Sequence, residues 1–304
     1  MAIMPEFERD GWSLAYEEHG QGPAVLLLHG LLMDRTMFAP QVEALASRYR
    51  LITPDLRGHG QSEHRAEEYS QWDLMEDHVA LLEHLGVDRA VWGGVSQGGF
   101  QSLRAALRHP ERVAALILID TQAGYESEER APMFEAAAAV AAEQGWTEDL
   151  VSMAAIMMLG EHVSDEVKRH WIDRWMAQPT GDAVQVMRAV TRRDDITDRL
   201  AEIRQPAVVI HGEEDVAIDL PLAKRLADAL PNLVEFATIP GAGHSSTIER
   251  PEAVTAVIER FLDRGVQAAA SPRAKRADQG AAFPRRKRSA ENGSLTSEDR
   301  VAPS

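Results

Sequence analysis

Short apolar runs and segments with helical spacing alternate along most of the chain. The runs at residues 24–28 and 113–119 are continuously apolar, which is typical of strands buried on both faces of a sheet. In residues 73–85, the spacing of apolar positions predicts an amphipathic helix. Strands are predicted at residues 12–19, 24–28, 51–53, 90–93, 113–119, 207–210 and 233–239, and helices at residues 37–47, 73–85, 100–107, 220–230 and 248–264. This order predicts the α/β class, with a mostly parallel sheet and helices on both of its faces.

Residues 121–205 interrupt this alternation. They contain no strand-like run, and alanine and methionine are frequent among them. The spacing of their apolar positions predicts helices at residues 132–144, 147–159, 164–177 and 182–191. We therefore expect a core formed by residues 1–120 and 206–264, with residues 121–205 inserted between its two parts. Such an insertion would lie over the carboxyl ends of the strands, where sheets of this kind bind ligands.

The last part of the chain differs in composition and charge. From residue 265 onward, Ala, Pro, Ser, Arg and Lys replace any periodic pattern, so we expect residues 265–304 to form a disordered, basic tail. Its run of basic residues at 285–288 is interpreted as part of this solvated extension. The whole chain carries a formal net charge of -16, so the negative charge lies in the body. An acidic body disfavours nucleic acid and anionic membranes as partners of the folded part.

The sequence contains no cysteine. This excludes disulfides, thiol nucleophiles and cysteine-ligated metals, and it is consistent with a reducing compartment. The first ten residues lack the basic start and the long apolar run of a secretory signal. The longest apolar runs are too short to cross a bilayer. We expect a cytoplasmic protein without a membrane partner, and the sequence leaves its oligomeric state undetermined.

The motif most informative about chemistry is Gly-Val-Ser-Gln-Gly at residues 94–98. It lies between a predicted strand and a predicted helix, which is the context of a nucleophile elbow. Gly94 and Gly98 are required because a Cβ at either position would collide with so sharp a turn. The strained backbone of such an elbow presents the hydroxyl of Ser96 to a substrate.

A serine hydroxyl needs a base to remove its proton. The best candidate base is His244, in a glycine-containing loop between the last predicted strand and the last predicted helix. Asp215, just past the strand at residues 207–210, is the candidate acid. The resulting order of Ser, Asp and His along the chain is the order expected for this type of elbow. The role of Asp215 is to fix the tautomer of the imidazole and to stabilise its charged form.

The intermediate of acyl transfer needs N–H donors for its oxyanion. The backbone N–H of Gln97, at a helix N-terminus, and the backbone N–H of Leu31, after the strand at residues 24–28, are the candidates. A predicted substrate pocket consists of Leu32, Met33, Phe38, Met153 and Met157. Met153 and Met157 are equally compatible with simple helix packing. No histidine lies in a metal-ligand spacing, so neither a metal nor a cofactor is expected.

The motifs together resemble the α/β-hydrolase superfamily. The resemblance rests on His29-Gly30, on the turn at residues 54–60, on residues 94–98 and 212–215, and on Gly243-His244. The branch most similar to this chain contains 3-oxoadipate enol-lactonases, carboxylesterases and cofactor-free haloperoxidase-like perhydrolases. The resemblance implies an α/β-hydrolase fold in which residues 121–205 form a helical cap. It also offers Asp120 as an alternative acid, since some members of the family keep the acid at that position.

These observations predict a serine hydrolase that cleaves a small carboxylic ester or lactone through an acyl-enzyme. Three alternatives remain open at this stage. The first is a haloperoxidase-like perhydrolase that uses peroxide in place of water. The second is a hydrolase of carbon–carbon bonds in products of aromatic degradation. The third is a ligand receptor built on the same fold. The sequence does not determine the physiological substrate.

Overall fold

An eight-stranded sheet passes through the centre of the molecule. The structure, a computed structural model, describes residues 5–270, and it describes side chains up to residue 264. The strands are β1 (Glu6–Arg9), β2 (Trp12–His19), β3 (Ala24–Leu28), β4 (Arg50–Pro54), β5 (Ala90–Val95), β6 (Val113–Ile119), β7 (Ala207–Gly212) and β8 (Leu233–Ile239). Their spatial order is β1-β2-β4-β3-β5-β6-β7-β8. The β1–β2 and β2–β4 pairs are antiparallel, and all the others are parallel, so the predicted α/β class is confirmed.

Helices cover both faces of this sheet. They are α1 (Ala39–Leu45), α2 (Gln71–His84), α3 (Gln97–Arg108), α4 (Arg130–Gln144), α5 (Glu148–Met158), α6 (Asp165–Ala177), α7 (Ala183–Thr191), α8 (Leu220–Ala229), α9 (Ser246–Glu249) and α10 (Pro251–Ala270). Short 3-10 helices lie at Arg35–Phe38 and Thr197–Glu202. Within residues 5–270, no helix combines the length and the apolar character that a membrane crossing requires.

The apolar strands separate two layers of core. Leu26 and Leu28 of β3 pack on one face of the sheet, with residues of α2, α3 and α8. Val25 and Leu27 of the same strand pack on the other face, with residues of α1 and α10. Successive side chains of a strand point to opposite faces, so a strand covered on both sides must be apolar throughout. This burial places the carboxyl ends of the parallel strands at one edge, where the loops described below meet.

Four α-helices, α4 to α7, occupy the segment between β6 and β7, and this segment contains no strand. Their bounds agree with the predicted helices to within two residues at each end. Trp171 and Trp175 of α6 are buried in the same core layer as Val25 and Leu27. The inserted helices are therefore packed against the core. Their function as a cap remains a prediction.

Two details differ from the sequence-based expectations. Strand β1 was not predicted, because it is only four residues long and pairs along the outer edge of β2 with partly exposed side chains. The predicted helix at residues 248–264 is instead two helices, and α10 begins at Pro251, a residue favoured in the first turn of a helix. The predicted start of the tail at residue 265 was wrong, since α10 continues to Ala270. Residues 271–304, including the basic run at 285–288, lie outside the described residues.

Candidate active site

Ser96 stands at a sharp turn between β5 and α3. Its backbone has φ 51° and ψ -111°, a left-handed φ that non-glycine residues rarely adopt. A Cβ at Gly98 would overlap the carbonyl of Leu28, and a Cβ at Gly94 would overlap the backbone of Gly98. The turn is fixed on its other side by Thr121, whose hydroxyl donates to the Ser96 carbonyl at 2.7 Å. Close packing of backbone around the turn thus holds the strained conformation.

The imidazole of His244 and the carboxylate of Asp215 are in direct contact. His244 Nδ1 lies 2.8 Å from Asp215 Oδ2. The other oxygen, Oδ1, accepts hydrogen bonds from the backbone N–H groups of Ala217 at 2.8 Å and Ile218 at 2.9 Å. A carboxylate can only accept here, so the proton of the neutral ring is assigned to Nδ1. This tautomer leaves Nε2 of His244 with the free electron pair that a general base needs.

The charges of this pair shift both pKa values. Burial by itself lowers the pKa of His244, but the adjacent carboxylate of Asp215 outweighs it, so the pKa is raised. Burial alone raises the pKa of Asp215, whereas the charge of His244 and the hydrogen bond from it lower that pKa overall. The pair therefore stabilises the charged imidazolium that forms when His244 takes a proton.

Asp120 links the two loops that carry the acid and the base. It follows β6 with a left-handed φ of 46° and is fully buried. Its Oδ1 accepts from the N–H of Gly212 at 2.9 Å, and its Oδ2 accepts from the N–H of Ser246 at 3.0 Å. Burial and the nearby charge of Asp215 raise the pKa of Asp120. Of the two candidate acids, Asp215 bonds to His244, and Asp120 bonds to the backbone.

Glu249 is a further part of the site that sequence reasoning missed. Its Oε2 accepts from the N–H of Gly243 at 2.6 Å, and its Oε1 accepts from the N–H of Ser245 at 3.0 Å. The residue between these two donors is His244, so a single carboxylate holds the backbone on both sides of the imidazole. The only available signal was an acidic residue five positions after a catalytic histidine, and such a spacing alone does not indicate this contact.

Asp120, His211 and Asp215 bring possible metal-ligating atoms within 4.8 Å of one another. Each carboxylate already accepts N–H groups, and His211 Nε2 lies 2.9 Å from the carbonyl of Ile218, to which it donates. A metal would have to displace these donors. The chemistry of this set therefore fits hydrogen bonding between loops and does not fit an ion.

The two predicted oxyanion donors lie on either side of the serine. Gln97 is the first residue of α3, directly after Ser96. Leu31 follows β3 in a turn closed by a hydrogen bond from the Met33 N–H to the Gly30 carbonyl at 3.2 Å. A Cβ on Gly30 would lie 3.5 Å from Ser96 Cβ, so this turn passes beside the predicted nucleophile. Among the described residues, neither the Gln97 N–H nor the Leu31 N–H donates to another group, which leaves both for a ligand.

Ser96 and His244 line one cavity between the sheet edge and the inserted helices. No hydrogen bond joins their side chains within the described part of the chain, and such contacts often tighten only when substrate binds. Of the predicted pocket residues, those that line this cavity are Leu32, Met33, Met153 and Met157. The expectation for Phe38 is wrong: its ring is fully buried in the core, because the 3-10 helix at Arg35–Phe38 turns it away from the cavity.

Helix α6 is fastened to the turn that carries Leu31. The indole N–H of Trp175 donates to the Leu32 carbonyl at 2.8 Å. Arg174 Nε donates to Asp34 Oδ2 at 2.7 Å, and the Asp34 carboxylate is almost fully buried. These partners are about 140 residues apart in sequence, so no local pattern predicts them. The contacts fix the cavity wall relative to the predicted oxyanion donors.

Comparison with known proteins identifies the family. The chain matches the model of the alpha/beta hydrolase fold over residues 23–251. It is 27% identical to the 3-oxoadipate enol-lactonase 1 of Acinetobacter baylyi, over 84% of this chain and 94% of that protein. It is 29% identical to the 2-hydroxymuconate semialdehyde hydrolase of Pseudomonas putida, over 85% of this chain and 95% of that protein. A solved structure, the thermophilic esterase from Thermogutta terrifontis, superimposes with a TM-score of 0.79 at 30% identity, covering 86% of this chain and 97% of that one.

The family match covers most of the chain, and the described sheet has the corresponding mostly parallel architecture. The relatives named here are hydrolases of esters, lactones and carbon–carbon bonds by their names. This chain belongs to the alpha/beta-hydrolase family.

Proposed function

We propose that this protein is a serine hydrolase that cleaves an uncharged carboxylic ester or lactone through an acyl-enzyme. The observation that carries the proposal is the 2.8 Å contact between Asp215 and His244, on a ring that shares a cavity with the strained Ser96. We further propose that residues 121–205 act as a cap over this cavity. The lack of cysteine supports a reducing compartment such as the cytoplasm.

The proposed reaction has two halves. Ser96 Oγ attacks the carbonyl carbon while His244 Nε2 takes the hydroxyl proton, and the N–H groups of Leu31 and Gln97 stabilise the oxyanion. The carbon–oxygen bond to the leaving group then breaks, and His244 returns the proton to the departing alkoxide. A water molecule, deprotonated by His244, attacks the acyl-serine and releases the acid. For a lactone, the departing alkoxide stays attached to the acyl group, so a single hydroxy acid leaves.

The charges lining the cavity favour an uncharged substrate. Arg174 is paired with Asp34, and Arg130 donates to the carbonyl of Ala217 at 2.9 Å. Glu126 lies 3.3 Å from Arg193. No cationic side chain among the described cavity residues is left without an acceptor to bind a substrate carboxylate, and most of the wall is apolar. This supports an ester or lactone over the carboxylate-bearing dienoates that a carbon–carbon bond hydrolase cleaves.

The test is hydrolysis of p-nitrophenyl butyrate by the full chain and by Ser96→Ala. We expect kcat to fall at least about a thousandfold in the variant, because the nucleophile is lost. Ser152→Ala, an exposed serine of α5, serves as the matched control and retains full activity. Rapid quenching followed by mass spectrometry is expected to locate the butyryl group on the peptide that contains Ser96. Equal rates in Ser96→Ala and the parent protein would refute the proposal.

A further inference from the structure

His59 has an unusual position for a buried histidine. It lies in the turn after β4, is 4 % exposed, and lines the same cavity as Ser96. Its Nδ1 lies 2.9 Å from the carbonyl of Arg57, so the proton of the neutral ring is on Nδ1. Burial lowers the pKa of His59 to about 3, which keeps the ring neutral at physiological pH. The second nitrogen, Nε2, is therefore an acceptor with no proton of its own.

That acceptor has no partner in the described part of the protein. The neighbouring His29 ring, whose centroid is 5.1 Å away, does not supply one. Its Nδ1 faces the Gly30 carbonyl at 2.8 Å, and its Nε2 accepts from the N–H of Leu56 at 3.0 Å. A buried acceptor without a donor is destabilising, and native proteins rarely keep one unless it has a function.

The surroundings of His59 have the character of an acceptor. Asp182, at the start of α7, also lines the cavity and is 4 % exposed. Its carboxylate lies over Gly58, where a Cβ would be 2.7 Å from Asp182 Oδ2. On its other side it contacts His64, whose Nδ1 lies 3.2 Å from Oδ1. The gap between the turn after β4 and the start of α7 thus presents acceptors to the cavity, beside the oxyanion turn.

We propose that His59 Nε2 and the adjacent Asp182 form a hydrogen-bond-accepting subsite that binds a hydroxyl or amide N–H of the substrate. The inference rests on the proposed function for the nature of the reaction, and it narrows the substrate class. The preferred ester or lactone is uncharged and apolar over most of its length, and carries one hydrogen-bond donor. His59 is then a residue that determines specificity, and it takes no part in the transfer of the proton from Ser96.

The kinetic test compares substrates that differ only in the donor. One pair is the p-nitrophenyl esters of 3-hydroxybutyrate and 3-methoxybutyrate. The second pair is the esters of N-acetyl-β-alanine and its N-methyl derivative. In the parent protein we expect kcat/KM to favour the donor in at least one pair by about three- to tenfold, the effect of one neutral hydrogen bond.

Two substitutions of His59 separate the roles of its nitrogens. In His59→Asn, the amide can replace Nδ1 and still donate to Arg57, but nothing replaces Nε2. We expect the preference for the donor to fall to about one. In His59→Gln, the amide oxygen can occupy the place of Nε2, and we expect the preference to be retained at least in part. His84→Asn, an exposed histidine of α2, is the control and keeps the parent ratio. An unchanged ratio in His59→Asn would overturn the proposal.

A binding experiment tests the subsite without catalysis and without altering His59. The full chain carrying Ser96→Ala is labelled with ¹⁵N-histidine and titrated with the 3-hydroxy and 3-methoxy esters and with the acetamide and N-methylacetamide esters. We expect the Nε2 resonance of His59 to move upfield with a donor ligand and to stay in place with its methylated counterpart. If no ester is hydrolysed but this shift occurs, the proposed function fails and the subsite stands. If hydrolysis depends on Ser96 but neither the ratio nor the resonance responds to a donor, the subsite alone is refuted.

Discussion

Glu249 holds His244 in place by accepting hydrogen bonds from the backbone on both sides of it. The N–H of Gly243 lies 2.6 Å from one carboxylate oxygen, and the N–H of Ser245 lies 3.0 Å from the other. No atom of the imidazole takes part, so Glu249 is a positioning residue. Its contribution lies in the geometry of the loop after β8, on which the direction of the His244 ring depends.

Removal of this carboxylate tests its positioning role. Glu249→Ala leaves two buried N–H groups without acceptors, so we expect the free energy of unfolding to fall by about 2 to 4 kcal/mol. We expect kcat for p-nitrophenyl butyrate to fall by about ten- to a hundredfold because the base is misplaced. Urea unfolding and steady-state kinetics measure the two effects. Glu252→Ala, an exposed glutamate of α10, is the control, and an equal loss in both variants would contradict the prediction.

The identity of the acid is tested by comparing two isosteric variants. Asp215→Asn removes the charge next to His244 and can stabilise the wrong tautomer, so we expect kcat to fall by about 10⁴-fold. Asp120→Asn turns an amide N–H₂ toward one of the backbone donors of Gly212 and Ser246. We expect it to lower the free energy of unfolding by about 1 to 3 kcal/mol, with a smaller loss of activity. Kinetics and urea unfolding of both proteins decide, and a larger kinetic loss in Asp120→Asn would reverse the assignment.

The pH dependence of activity follows from the raised pKa of His244. The base acts only in its neutral form, so kcat/KM falls as the pH is lowered through the pKa of the ring. The carboxylate of Asp215 raises this pKa above its ordinary value of 6.5, and the acid limb is therefore expected above pH 6.5. NMR titration of labelled His244 checks the same pKa directly. In Asp215→Asn we expect it to move to lower pH, and no movement would contradict the stated cause.

The ion pair between Arg174 and Asp34 predicts discrimination against anionic substrates. We expect kcat/KM for the p-nitrophenyl monoester of succinate to be at least about tenfold below that for the butyrate ester, because a carboxylate would be buried without a partner. Asp34→Asn frees the guanidinium of Arg174, so the penalty is expected to shrink. The ratio of the two kcat/KM values is the measurement. Asp173→Asn, an exposed neighbour of Arg174 on α6, should leave that ratio unchanged. A ratio unaffected by Asp34→Asn would show that the ion pair does not exclude anions.

Several features could be predicted from the sequence because they depend on short-range physics. The bounds of β6 and β8 and the helices between β6 and β7 follow from the spacing of apolar residues, since burial on one or two faces determines that spacing. The sharp turn at Ser96 follows from Gly94 and Gly98, because only glycine avoids the collisions that such a turn creates. The candidate residues Ser96, Asp215 and His244 were reached from motifs and their order along the chain.

Only the tertiary structure decided which side chains meet at the ends of the strands. Asp120 and Asp215 follow neighbouring parallel strands, and a pattern of residues does not reveal which carboxylate reaches His244. The contact of Arg174 with Asp34 and the missing partner of His59 Nε2 depend on segments that are distant in sequence. Apolar periodicity reports the solvent that each residue faces, which is a local property. Hydrogen bonds in a cavity depend on directions set by loops from several elements, and these directions exist only once the chain has folded.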